Sequence, residues 1–200
     1  PSEILIIADG TANPDHLAAD MLSQAEHDKM ASAVLVTTSA TVAERTAELI
    51  EKRLTDLPRQ ETARASIENN GKIIVASSIV EAAEISDELA PEHLEIVTLD
   101  PESVLDIVKN AGSVFLGDYS PEPVGDYFAG PNHTLPTSGT ARFSSPLGVD
   151  DFIKRSSFIK YSREALERSG ARIADFAERE GLSAHARSVT ARTARTEGNK

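Results

Sequence analysis

The fold class is indicated most clearly by the stretch Ile4-Leu5-Ile6-Ile7-Ala8-Asp9-Gly10-Thr11-Ala12-Asn13-Pro14 of this 200-residue chain. Its opening run of Ile and Leu is typical of a strand that is buried on both faces of a parallel sheet. Asn13 can cap the helix that follows, and proline suits the first position of a helix. The stretch therefore predicts a strand, a short loop and a helix from Pro14 to about His27.

The same strand–helix unit recurs as far as residue 116. Further strands are predicted at 34–37, 72–76, 94–98 and 113–116, and helices at 40–54, 61–68, 79–89 and 101–109. This alternation predicts an α/β fold, a mostly parallel sheet with flanking helices in an incomplete Rossmann-like domain. Ligands of such sheets usually bind beyond the carboxyl ends of the strands.

The remainder of the chain departs from this alternation. Residues 117–149 contain many Gly, Pro, Ser and Asn without periodicity, which is typical of a long functional loop. Helices are predicted after it at 150–156, from a Ser162 cap to Glu180, and from a Ser183 cap to about residue 196. This helical tail has few large apolar residues, so we expect it to pack against a surface outside itself.

The composition excludes several classes of protein. A net charge of −12 and the lack of a basic patch argue against a nucleic-acid partner. No apolar run approaches the roughly 20 residues that span a bilayer, and no signal sequence is recognisable, so no membrane partner is expected. The absence of Cys excludes disulfides and a Cys nucleophile within the chain, and it fits a cytoplasmic location. Because Pro1-Ser2-Glu3 leads directly into an apolar strand, we expect a fragment or a processed half.

A candidate metal site begins with Gln24 and His27, which are three residues apart and share one face of the first helix. An amide oxygen and an imidazole can supply half of a zinc site, although such a pair is more often a simple surface feature. Asp126 offers a further oxygen ligand, and His185 is a possible fourth ligand. Glu180 lies a short turn before His185.

A candidate pair of general bases is formed by Glu92 and His93, which follow Pro91 just before a predicted strand. A carboxylate and an imidazole in a rigid turn can remove two different protons, although a surface turn is the commoner explanation. His16 is predicted to be an ordinary surface residue. No G-x-G-x-x-G, G-x-S-x-G or Walker sequence is present, so this chain does not carry the usual dinucleotide signature.

Taken together, these stretches closely resemble the C-terminal half of histidinol dehydrogenases. The matching pieces extend along the whole chain in order: Pro1-Ser2-Glu3, Ser23-Gln24-Ala25-Glu26-His27, Pro91-Glu92-His93-Leu94, Gly112-Ser113-Val114-Phe115-Leu116-Gly117, Gly130-Pro131-Asn132-His133-Thr134-Leu135-Pro136-Thr137 and Thr140-Ala141-Arg142-Phe143-Ser144-Ser145-Pro146-Leu147. The resemblance implies oxidation of L-histidinol to L-histidine in two NAD-dependent steps through an aldehyde, in histidine biosynthesis.

The resemblance also implies roles for individual residues. The zinc ligands of the family match Gln24, His27, Asp126 and His185. His93 matches the base that takes the alcohol proton, and Glu92 matches the carboxylate that activates water for the second oxidation. A chain without Cys cannot itself form a thiohemiacetal, which agrees with activated water. The substrate contacts of the family match these residues: Ser2, Gln24, His27, His93, Asp126, His133, Glu180 and His185.

The family is a homodimer in which the helical tail reaches into the partner's site, so Glu180 and His185 would serve the other subunit. We therefore expect a Rossmann-like domain at 1–148, whose N-terminal part is missing, and a helical dimerisation tail at 149–200. The family chain is about twice as long, and its other half would hold most NAD contacts. The 200-residue piece alone is expected to be inactive.

Two alternatives stay open. One is a related zinc- and NAD-dependent dehydrogenase that acts on another small alcohol. The other is a non-catalytic α/β module that binds zinc or a partner. In a single copy of the chain we expect Gln24, His27 and Asp126 to lie close together and His185 to lie far from them.

Overall fold

The computed structural model describes residues 2–131 and 133–193. Pro1, Asn132 and the predicted end of the last helix at 194–196 lie outside the described residues. The chain divides into two compact units, one up to Ile153 and one from Lys154 onward. Among the described residues, no helix is both long and apolar enough to cross a membrane.

The first unit contains five parallel strands flanked by helices. The strands are β1 (Glu3–Ala8), β2 (Ser32–Thr37), β3 (Lys72–Val75), β4 (His93–Val97) and β5 (Ser113–Leu116). The helices are α1 (Pro14–Ala25), α2 (Ala40–Leu54), α3 (Gln60–Asn70), α4 (Ile79–Leu89), α5 (Pro101–Leu105) and α6 (Glu122–Tyr127), followed by 3₁₀ helices at Thr140–Arg142 and Val149–Phe152.

The predicted α/β class is confirmed, with β1 in the middle of the order β3-β2-β1-β4-β5. Successive side chains of a strand point to opposite faces of the sheet. Ile4 and Ile6 therefore belong to the core that includes α1, α2 and α3, whereas Leu5 and Ile7 belong to the core that includes α4 and α5. Burial on both faces explains why β1 is a continuous apolar run.

Four details of the sequence-based prediction were wrong. The helix predicted to reach His27 ends at Ala25, and the one predicted to reach residue 109 ends at Leu105. The segment 150–156 forms only a short 3₁₀ helix, Val149–Phe152. The segment 117–149, which was predicted to be a loop, contains α6. The helix was not predicted because its Pro and Gly residues are typical of loops and its N-terminus has no side-chain cap among the described residues.

The second unit is a helical hairpin of α7 (Arg163–Arg179) and α8 (Ser183–Thr193). In the described part of this unit, residues 154–193, the only buried apolar residues are the small side chains of Ala174, Ala177 and Ala186. By contrast, Phe176 is 65% exposed, and Ile173 and Leu182 are also exposed. This unit thus presents large apolar side chains that it does not bury itself. Its assignment as a dimerisation tail stays a prediction.

Candidate active site

The candidate site lies at the amino edge of the sheet. His93 opens β4 and is paired with Ile4 near the start of β1. Because α1 runs back from the carboxyl end of β1, its last turn, with Gln24, returns to the same edge. α6 follows β5 and brings the Asp126 carboxylate close to His93. The usual location of ligands at the carboxyl ends of parallel strands therefore does not apply to this cluster.

His93 is a buried imidazole with one nitrogen occupied and one available. Its Nδ1–H donates to the Glu3 carbonyl at 3.0 Å, a tautomer that we assign because a carbonyl can only accept. Its Nε2 has no hydrogen-bond partner among the described residues and lies 3.7 Å from a Glu122 carboxylate oxygen. Burial lowers the pKa of His93. The ring is therefore neutral near pH 7, and its Nε2 lone pair is free to accept a proton.

Glu92 is held beside His93 at the start of β4. Its carboxylate accepts the Glu3 N–H at 3.1 Å and lies 3.6 Å from His93 Nδ1. Burial raises the pKa of Glu92, which makes its carboxylate a stronger base than an exposed one. The preceding turn places Ala90 in the left-handed region at φ 50°, with its side chain fully buried. Such a strained turn fixes the point at which both side chains enter the site.

Asp126 lies in the last turn of α6 and accepts a hydrogen bond from His133 Nδ1 at 2.8 Å. Burial alone would raise the pKa of Asp126, but hydrogen bonds with His133 and Glu122 outweigh it and hold the pKa below its usual value. The same pairing raises the pKa of His133, whose side chain is largely exposed. Asp126 is therefore an ionised carboxylate at the edge of the cluster.

Glu122 was missed by the sequence analysis. Its carboxylate, the His93 imidazole and the Asp126 carboxylate offer atoms that all lie within 4.8 Å of one another. Burial, and then the neighbouring Asp126, raise the pKa of Glu122 to about 7. The available signal was the four-residue spacing of Glu122 and Asp126, which places both on one face of a helix, but this segment was interpreted as loop.

Gln24 and His27, the first two predicted ligands, lie in and just after the last turn of α1, at the same edge of the sheet. Gln24 is buried, and its Oε1 has no hydrogen-bond partner among residues 2–131 and 133–193. His27 is exposed just beyond the end of α1, and its charge contributes to lowering the pKa of His93. Their backbones are joined, since the His27 N–H donates to the Gln24 carbonyl at 3.2 Å.

A metal cation suits this set of donors. A buried amide oxygen without a donor is costly unless a cation or another donor meets it. The ionised Asp126 adds negative charge, and the C-terminus of α1 contributes the negative end of its helix dipole. A mixed oxygen and imidazole set is compatible with zinc.

The remaining predicted residues fall in two places. Ser2 precedes β1 at the same edge, half-buried, and its carbonyl accepts the Ser32 N–H. Glu180 and His185 belong to the second unit, where the end of α7 and the first turn of α8 bring both into one groove beside Phe176. The hairpin thus brings together two of the predicted residues independently of the first unit.

The fold and the site define an α/β protein of the Rossmann-like class with a buried imidazole among carboxylates at the amino edge of its sheet. The family model for histidinol dehydrogenase matches residues 1–193. The chain is 59% identical to the histidinol dehydrogenase of Bacillus subtilis over 195 residues, covering 98% of this chain and 46% of that protein. It is 57% identical to the one of Halalkalibacterium halodurans, covering 96% of this chain and 45% of that protein.

A crystal structure of histidinol dehydrogenase from Elizabethkingia anophelis is also similar, with a TM-score of 0.87 and 43% identity. The match covers 96% of this chain and 44% of that one. The chain therefore belongs to the histidinol dehydrogenase family, as its sequence motifs predicted. It spans just under half the length of the relatives that it matches.

Proposed function

We propose that this chain supplies the catalytic base and most metal ligands of an enzyme that oxidises L-histidinol to L-histidine through histidinaldehyde, with two hydride transfers to NAD. The observation that carries the proposal is the buried, neutral His93, whose available Nε2 faces a group of carboxylates. Membership of the family supplies the substrate. Because the chain spans less than half of its relatives, most NAD contacts are proposed to lie outside it.

His93 serves as the base of the first oxidation. Its Nε2 takes the hydroxyl proton of the alcohol while hydride leaves the adjacent carbon. The Glu3 carbonyl, 3.0 Å from Nδ1, keeps the ring in the required tautomer and stabilises the positive charge that the ring then gains. Glu122, 3.7 Å from Nε2, stabilises the same charge from the other side.

Glu92 serves as the base of the second oxidation. Its carboxylate removes a proton from water as that water adds to the aldehyde carbonyl, and the resulting hydrate can lose the second hydride. The Glu3 N–H holds the carboxylate in place at 3.1 Å. A pKa raised by burial strengthens this base. The chain contains no Cys that could form a thiohemiacetal instead.

Gln24, His27 and Asp126 would hold zinc, with His185 of a second copy as the fourth ligand. When bound, zinc polarises and orients the substrate oxygen, and NAD accepts the hydrides. Gln24 contributes the buried Oε1 that has no other partner in the described part of the chain. Ser2, His133 and Glu180 are proposed to contact the substrate together with the ligands and His93.

The helical tail is proposed to exchange between the subunits of a homodimer. Its supporting observation is the groove that combines Glu180 and His185 with the exposed apolar side chains of Phe176 and Leu182. Docking of this groove on a second copy would bury the apolar surface and deliver both polar side chains to the partner's site. The division into a domain at 1–148 and a tail at 149–200, and the cytoplasmic location, stay predictions.

The test is an assay of the full-length protein. We expect two NADH per L-histidinol, loss of activity with a chelator, and recovery with zinc. Full activity in zinc-free protein would contradict the metal assignment. Turnover of another small alcohol but not of L-histidinol would favour a related dehydrogenase, and zinc binding without turnover would favour a non-catalytic module.

A further inference from the structure

Glu95 is a buried carboxyl group that the proposed chemistry does not use. It lies in the middle of β4, and its side chain is 2% exposed. Its neighbours on the strand, Leu94 and Ile96, point into the core beneath α4, so Glu95 points to the opposite face, towards α1. A buried carboxyl group is costly unless its oxygens are hydrogen-bonded.

The Glu95 carboxyl group interacts with two different helices. Oε1 accepts the backbone N–H of Glu122, the first residue of α6, at 2.8 Å. The carboxyl is also hydrogen-bonded to the side chain of Asp20, on α1. Oε2 receives no N–H or hydroxyl donor from the described residues. Because Oε1 already accepts an N–H, we assign the proton shared with Asp20 to Oε2.

The protonation states agree with this arrangement. Burial, followed by the charge of Asp20, raises the pKa of Glu95 to about 9, and burial raises the pKa of Asp20 to about 6. At neutral pH a protonated Glu95 therefore donates to an ionised Asp20 while it accepts from the α6 backbone. Such a carboxyl behaves like an amide side chain, with one donor and one acceptor.

Both contacts lie one helical turn before a proposed metal ligand. Asp20 precedes Gln24 by four residues on α1, and Glu122 precedes Asp126 by four residues on α6. Residues four apart lie on the same helical face. α6 is a six-residue helix without a side-chain cap among the described residues, so its position depends on such an external anchor.

We propose that Glu95 is a positioning residue that joins α1 to α6 and thereby sets the spacing between Gln24 and Asp126. The inference rests on the proposed metal site. Outer residues that orient metal ligands commonly contribute 10- to 100-fold to metal affinity. Glu95 acts in this way through two helices, without touching the metal or the substrate.

The test compares Glu95→Gln and Glu95→Leu in the full-length, metal-free protein. Gln keeps an oxygen for the Glu122 N–H and an N–H for Asp20, whereas Leu of similar size keeps neither. We expect Glu95→Gln to bind Zn²⁺ within about threefold of the parent and Glu95→Leu to bind about 10- to 100-fold more weakly. With Co²⁺ as a probe, the visible spectrum should change only in Glu95→Leu. Glu84→Leu, on an exposed position of α4, is the matched control.

Several outcomes would overturn the inference. Unchanged Zn²⁺ affinity and an unchanged Co²⁺ spectrum in Glu95→Leu would contradict the positioning role. A loss of Zn²⁺ affinity in Glu95→Gln as large as that in Glu95→Leu would contradict it too. If Glu95→Leu does not fold, the milder Asp20→Ala removes only the contact between Glu95 and α1. We expect this variant to lose Zn²⁺ affinity by about 3- to 10-fold. An unchanged affinity would refute the proposal that Glu95 joins α1 to α6. Failure of the parent protein to bind Zn²⁺ would instead refute the proposed metal site itself.

Discussion

Replacing Glu95 by Gln should stabilise the protein and change how its stability depends on pH. In the folded chain burial, and then the charge of Asp20, raise the pKa of Glu95 to about 9, against an ordinary value of 4.5. The stability contributed by a group with a raised pKa is fully present below the ordinary pKa and is lost as the pH rises towards the folded one. Gln is neutral in both states and avoids this loss.

The size of the effect follows from the cost of keeping the carboxyl protonated. At pH 7 this cost amounts to about 3.5 kcal/mol, from roughly 1.4 kcal/mol for each pH unit above the ordinary pKa of 4.5. We therefore expect Glu95→Gln to raise the free energy of unfolding by up to about 3.5 kcal/mol at pH 7, less at pH 5.5 and more at pH 8. The groups that share this interface and titrate with Glu95 are Asp20 and Glu122, with His16 and Asp118 beside Asp20.

Urea unfolding of the metal-free, full-length protein at pH 5.5, 7 and 8, at one protein concentration, measures the difference. Glu84→Gln, an exposed change of the same kind, should leave all three values within about 0.5 kcal/mol of the parent. The reasoning is refuted if the difference between Glu95→Gln and the parent is the same at all three pH values, or if the variant is the less stable protein at pH 8.

The remaining predictions concern the proposed catalysis in the full-length enzyme. His93→Gln should slow alcohol oxidation by about 10²- to 10⁴-fold, and a decrease below tenfold would exclude it as the base. Because burial lowers the pKa of His93, the rate of the first oxidation in the parent should stay constant from pH 8 down to the ordinary histidine range and fall only below it; a fall centred above pH 7 would contradict the neutral imidazole. Mixed dimers test the exchanged tail: Gln24→Ala and His185→Ala chains should each be inactive alone and regain activity when subunits are exchanged, since one site of the mixed dimer is then intact. No recovery in a verified mixed dimer would show that Gln24 and His185 act within one chain.

Local signals in the sequence were sufficient for most of the α/β architecture. Asn13, the predicted cap of α1, accepts a hydrogen bond from a backbone N–H in the first turn of its helix, and Ser39, Ser78 and Asp100 do the same for α2, α4 and α5. These features depend on neighbouring residues alone, so a single sequence reveals them. The order of the strands depends on how each helix crosses the sheet, and it was not predicted.

The two residues that the sequence analysis missed, Glu95 and Glu122, owe their positions to tertiary contacts. Glu95 occupies a strand position where a charged residue usually faces solvent, and it is buried because α1 and α6 cover it. Glu122 lies in a segment whose Pro123 and Gly125 resemble a loop. There Glu95, distant in sequence, accepts the N–H of the first residue of α6. Such an anchor leaves no local pattern.

The most direct test of the proposed two-base mechanism is a single-turnover experiment on full-length Glu92→Gln with L-histidinol and excess NAD. The account assigns the alcohol proton to His93 and the water proton to Glu92, so the two NADH should appear at different rates. We expect the first NADH to form at close to the parent rate and the second at least about 100-fold more slowly. Equal slowing of both phases, or an unchanged second phase, would contradict the separate role of Glu92.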